Sequence, residues 1–197
     1  MDQIKKRIVV GATGASGLPL LYDCLRIIRE TDGWESLLIL SDSAKLTLRH
    51  ETDLELEEIY SLADQVFEPE EIGAGPASGS FRTEGMLIVP CSMKTLAGIH
   101  SGYADNLLLR AADVTLKEQR RLVLAVRETP LSAIHLRNMQ ELAMIPGVHI
   151  IPPMLTWYIR PKTIEEMSYH MAAKLLEPFG IEAPAYQRWE GLPNERV

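Results

Sequence analysis

The sequence predicts a doubly wound α/β domain, a parallel sheet buried between two layers of helices. Three observations lead there. Short apolar runs alternate with longer amphipathic segments along most of the 197 residues. The apolar runs are continuous, as strands covered on both faces require. Aromatic residues make up only 6% while Ala, Leu, Ile and Val are plentiful, which suits helices on a sheet better than an aromatic-rich barrel. The length is that of one ordinary domain, so a single domain over residues 1–197 is expected.

Taken in order, the first strand is Arg7–Gly11, an Ile-Val-Val run stopped by glycine, and a helix follows over Leu18–Arg29. The second strand, Ser36–Leu40, leads to helices at Ala44–His50 and Leu54–Ala63. Gly85–Cys91 is the third strand, with helices at Thr95–His100 and Asn106–Leu116 behind it. Leu122–Val126 and then Ser132–Leu142 form the next strand and helix, and Val148–Ile151 and Thr163–Leu176 form the last pair. Each strand is short and rich in Val, Ile or Leu, and the β-α alternation is the signature of the doubly wound class. There is no internal repeat and no linker. The irregular stretch Glu68–Arg82 carries Pro69, Gly73, Gly75, Pro76 and Gly79, and its length marks it as a candidate active-site loop.

Composition narrows the function classes. The net charge is −7, and an acidic chain is a poor polyanion binder, which argues against nucleic acid as the main partner. No run approaches the roughly 18 apolar residues of a membrane span, and the N-terminal apolar run is too short for a secretory signal, so a cytoplasmic protein is expected. Cys24 and Cys91 cannot build a disulfide framework and read as reduced thiols, Cys91 as a buried small side chain rather than a nucleophile. His50, His100, His135, His149 and His170 show no metal-ligand spacing, so no metal is expected. Nine carboxylates and no Lys or Arg lie between Glu51 and Phe81, which reads as a solvated face. Arg110, Lys117, Arg120, Arg121 and Arg127 crowd the second half instead, and a local cationic pocket in an acidic protein suits a small anion such as a phosphate.

Several stretches read as site rather than scaffold. Gly11-Ala12-Thr13-Gly14-Ala15-Ser16-Gly17 follows a strand and opens a helix, where glycines allow a tight turn and free N–H groups attract a phosphate or a flavin edge. The same spacing occurs in extended short-chain dehydrogenases. Their Tyr-x-x-x-Lys pair is matched by Tyr158 and Lys162, but Pro161 within the span is incompatible with the helix that chemistry needs. Pro90-Cys91-Ser92-Met93-Lys94-Thr95 lies at the carboxyl end of a buried strand, where open α/β sheets bind ligands. Asn106, Arg110, Asp113 and Lys117 recur at helical spacing, either as a ligand-facing stripe or as surface ion pairs of Asp113 with Arg110 and Lys117. Arg127 and Glu128 put a cation and a carboxylate together at another strand end.

These strings, together with His50-Glu51-Thr52-Asp53, Ala77-Ser78-Gly79-Ser80-Phe81, Arg110–Glu118, Arg127–Leu131 and Arg188-Trp189, resemble the UbiX-type flavin prenyltransferases, including the B subunits of phenolic acid decarboxylase systems. The resemblance covers nearly the whole chain, in order. It implies a flavodoxin-like, Rossmann-type sheet, assembly of trimers into a homo-dodecamer, and transfer of a dimethylallyl group from dimethylallyl monophosphate to reduced FMN. The product, prenylated FMN, would serve a partner aromatic acid decarboxylase. Position by position, the resemblance places Gly14, Ala15, Ser16, Ser41, Ser92, Met93, Lys94, Thr95 and Arg127 at the FMN, and Glu51, Arg110, Lys117, Glu128, Tyr158 and Lys174 at the prenyl phosphate. Ser16, Glu51, Lys117 and Glu128 are the implied catalytic set. Cations would hold the departing phosphate, while Glu128 and Ser16 manage protons. Two departures stand out: Lys174 replaces an Arg found in many members, keeping charge but losing a bidentate grip, and Leu155-Thr156-Trp157 precedes Tyr158 where Pro-Ala-Phe is common. Two other functions compete. Flavin-dependent decarboxylation of a cysteine-derived substrate would need its own histidine and clamp motifs, which are not found. A non-catalytic FMN-binding subunit would keep the flavin turns.

Overall fold

The computed structural model describes residues 5–191. Its sheet has six parallel strands, β1 Lys6–Ala12, β2 Trp34–Leu40, β3 Gln65–Phe67, β4 Gly85–Cys91, β5 Arg121–Val126 and β6 Val148–Ile150, in the order β3-β2-β1-β4-β5-β6. The continuous apolar runs are explained by burial on both faces. Ile8, Val10, Leu38, Leu40, Leu87 and Val89 point into one core, under helices α1 Leu18–Glu30, α2 Asp42–Glu51, α3 Leu56–Leu62 and α7 Ile164–Leu176. Val9, Leu37, Ile39, Met86, Ile88 and Leu124 point into the other, under α4 Met93–Ser101, α5 Leu107–Lys117 and α6 Ala133–Ala143. This is the doubly wound, Rossmann-type arrangement, and the strand order reverses between β1 and β4.

The predicted boundaries move where a cap decides them. Ser41 accepts from the Ala44 amide, so α2 starts at Asp42, two residues before the expected Ala44. Ser92 does the same for α4, which starts at Met93 rather than Thr95. Strand β3 is unexpected from sequence because its two apolar residues, Val66 and Phe67, sit among acidic neighbours on a three-residue sheet edge. The acidic run is a solvated face over most of its length, with Asp53, Glu55, Glu57 and Glu58 exposed.

The Glu68–Arg82 stretch departs from its expected role as an active-site loop. Only its start, at Pro69, lines the polar cavity at the carboxyl ends of β1, β2 and β4. The rest is a strap down α5, running from the end of β3 to the start of β4. The Arg110 Nε donates to the Ala77 carbonyl at 3.2 Å, and Arg120 donates to the carbonyls of Gly79 at 2.7 Å and Phe81 at 3.0 Å. Three strap carbonyls are satisfied this way, which explains why a glycine-rich segment lies flat on the surface.

Candidate active site

The two glycine-and-serine turns meet at the switch point. The Thr13 amide and hydroxyl both donate to the Pro90 carbonyl, each at 3.1 Å, and the Ser92 amide donates back to the Thr13 hydroxyl at 2.8 Å. Ser41 closes the third side, its amide donating to the Ala12 carbonyl at 3.0 Å and its hydroxyl 3.0 Å from that of Ser43. Gly14 allows this closeness: a Cβ there would lie 2.5 Å from the Ser43 Cβ. Between these turns opens a cavity of about 280 Å³ lined by Thr13, Ser41, Ser43, Ser92, Lys94 and Thr95, with Asn106 and Tyr103 at its far wall. Hydroxyl donors and one ammonium around a helix start form a donor set suited to a phosphate, so the residues present fit the phosphate end of FMN. Ser43 and Tyr103 carry no signal in the sequence, whereas Asn106 belongs to the polar stripe already singled out on α5. The helical spacing of Asn106 was visible, but its place at the cavity was not.

Beside this cavity stands Glu51. Its carboxylate accepts the amides of Gly17 at 2.9 Å and Leu18 at 3.0 Å, so it caps α1 from a helix 33 residues away in sequence. The sequence reading left these N–H groups free for a phosphate or a flavin edge; the structure corrects this, because Glu51 holds them. Burial alone would raise the Glu51 carboxyl. The Ser16 hydroxyl, the two amides and the Arg127 charge outweigh it and hold the group below the ordinary carboxylate range. Ser16 and Arg127 also line an apolar groove of about 380 Å³, walled by Leu20, Pro153, Leu155, Ile164 and Met167. Glu128 is exposed next to Arg127, its carboxylate accepting the Thr129 amide at 2.9 Å. Gly14, Ala15, Ser16, Ser41, the Ser92–Thr95 turn, Glu51, Arg127 and Glu128 thus share one edge of one chain. Cys91, behind them, is fully buried and its thiol is pushed up to about 12 by burial, which leaves it inert as a nucleophile.

The remaining predicted residues are elsewhere. Arg110 pairs with Asp113 at 2.6 Å on the strap side of α5, and Lys117 pairs with Glu118 rather than Asp113. Lys117 ends α5 just before β5, whose first residue Arg121 faces the first residue of β4, so it lies at the opposite, amino edge of the sheet. Tyr158 and Lys162 lie outside any helix, as the proline required. Tyr158 belongs to an aromatic cluster with His170, Tyr186 and Trp189. Lys174 stands near this cluster, held above its ordinary value by the Glu177 carboxylate, which Arg188 also engages. One chain therefore presents three separate groups. Among the described residues, no cluster of His, Cys, Asp and Glu could hold a metal ion, and no helix is long and apolar enough to cross a membrane.

The Flavoprotein family matches residues 1–173. A probable UbiX-like flavin prenyltransferase of Streptomyces sp. (strain D7) is 53% identical over 97% of this chain and 95% of its own. Among solved structures, the dodecameric FMN-dependent UbiX-like decarboxylase of Escherichia coli O157:H7 is 48% identical with a TM-score of 0.91, covering 94% of this chain and 100% of that one. AnUbiX (PadA1), solved in complex with FMN and dimethylallyl pyrophosphate, is 44% identical with a TM-score of 0.93, over 96% of this chain and 100% of that one. With the switch-point cavity, the paired turns and these likenesses in hand, the chain belongs to the UbiX-like flavin prenyltransferase family of flavoproteins.

Proposed function

We propose that this chain transfers the dimethylallyl group of dimethylallyl monophosphate to reduced FMN, making prenylated FMN for a partner aromatic acid decarboxylase. The observation that carries this reading is the polar cavity between β1, β2 and β4 with Ser16, Glu51 and Arg127 at its flank. Reduced flavin, when bound, supplies the nucleophile. The hydroxyls of Thr13, Ser41, Ser43 and Ser92 with the Lys94 ammonium hold the flavin phosphate, because Glu51 already fills the α1 helix start. Arg127 neutralises charge at the flavin edge, and Glu128 takes up the proton released as the new bond forms. Loss of phosphate from an allylic carbon leaves an anion that needs cations, and Arg110, Lys117 and Lys174 are the cations for it.

Within one chain those three cations and Tyr158 line neither the polar cavity nor the groove that Ser16 and Arg127 share. The site is therefore shared between chains of a homo-oligomer, a dodecamer built from trimers. The exposure of Met154, Leu155, Trp157 and Ile164 on one segment supports burial against a second copy. The whole chain acts as one domain in the cytoplasm, where its two free thiols stay reduced.

Anaerobic incubation with reduced FMN and dimethylallyl monophosphate, followed by mass analysis of the flavin, tests the reaction. Bound FMN with no mass gain would make the chain a cofactor carrier instead. Glu128→Gln should retain FMN while product per bound flavin falls about 100-fold. Near-normal prenylation in that variant would assign the proton to phosphate or solvent.

A further inference from the structure

His170 is a polar residue at an apolar position. It is 5% exposed on the face of α7 that otherwise buries Met171, Leu175 and Leu176. Burial, followed by the Lys174 charge one turn on, pushes its imidazole below the ordinary value and keeps it neutral at neutral pH. A neutral imidazole has one donor and one acceptor nitrogen. Its Nε2 lies 3.4 Å from the Tyr158 hydroxyl, and that hydroxyl lies 3.3 Å from the Gln187 carbonyl. The carbonyl can only accept, so in the arrangement that makes both bonds the phenolic proton goes to Gln187 and Nε2 carries the hydrogen that the phenol oxygen accepts. The imidazole ring meets Tyr158 edge-on at 5.7 Å and packs on Tyr186 at 4.8 Å, which fixes the direction of that donor.

We infer that His170 is a positioning residue for Tyr158. It holds the phenol oxygen from behind so that the single phenolic proton is free to turn from the Gln187 carbonyl to an oxygen of the substrate phosphate. The idea rests on the proposed prenyl transfer and on Tyr158 facing the phosphate. Without His170 the phenol keeps one long hydrogen bond and the edge of Trp189, and its direction is lost.

His170→Phe keeps an aromatic ring between Tyr158 and Tyr186 but removes the nitrogen. In the oligomeric enzyme it should raise the KM for dimethylallyl monophosphate about tenfold while kcat and FMN affinity stay within about twofold. His170→Gln restores a donor at similar reach and should recover most of the loss, and it carries the test if the phenylalanine variant does not fold. Tyr158→Phe should cost about the same as His170→Phe, and the double variant should cost no more than either single one. An unchanged KM, equal losses in kcat and FMN affinity, or additive effects in the double variant would overturn the inference and leave prenyl transfer standing. Absence of prenylated flavin from the unaltered enzyme would remove both.

Discussion

Two helix starts lie side by side at the carboxyl edge of the sheet, and they are used in opposite ways. Helices α1 and α4 both follow buried strands through turns of small residues. The α1 start has no cap of its own: Gly17 sits in the N-cap position at φ 123°, a conformation that favours glycine, and the distant Glu51 carboxylate takes its amides. The α4 start is capped locally by Ser92 and faces an open cavity with Lys94 on its rim. The same local motif is thus an internal anchor at one strand end and a ligand cradle at the next. The difference lies in what the rest of the chain delivers to each helix start. A carboxylate comes to α1, whereas the hydroxyls of Thr13, Ser41 and Ser43 come to α4, which adds its own Ser92 and Lys94.

The contrast can be broken most sharply at α4. Ser92→Tyr removes the cap and fills the cavity, so FMN affinity in a fluorescence titration should fall about 100-fold, roughly 2.7 kcal/mol. Unchanged affinity would mean that the phosphate displaces Glu51 and sits at α1 after all. Gly14→Ala probes the closeness between the β1 turn and α2. Its Cβ would meet Ser43 at 2.5 Å, and Ser43 is too short to swing away. A loss of about 2 kcal/mol in denaturant unfolding is expected, and a neutral result would show that the turn yields freely.

Glu51→Gln gives the smallest effect and the most specific signature. The charged cap should contribute about 1 kcal/mol at neutral pH. Because the folded-state carboxyl is held below its ordinary 4.5, that contribution is present above 4.5 and disappears as pH falls through the lower folded value. The melting temperatures of parent and variant should therefore differ at neutral pH and converge in acid. A gap that persists unchanged in acid would deny the carboxylate its role as a cap.

The strands, the helices and both site turns were legible because their signals are local. An apolar run of five residues declares its burial wherever it folds, and a glycine turn after a strand opens a helix by backbone geometry alone. The resemblance to a family added Lys174, which no spacing could supply, and gave Tyr158 a role other than the one its spacing to Lys162 suggests. Strand β3 was hidden because edge pairing needs little apolar surface, and the strap over α5 was hidden because its hydrogen bonds run to Arg110 and Arg120, more than thirty residues away. Tertiary structure alone decided that Glu51, one of nine carboxylates in an acidic stretch, turns inward while its neighbours stay in water. A carboxylate follows the strongest donors within reach, and those donors, the Gly17 and Leu18 amides, are brought to it by the parallel pairing of β1 with β2. The same pairing rules put Lys117 at the far edge of the sheet from Ser16, because a helix that returns to start the next parallel strand must end at the amino side.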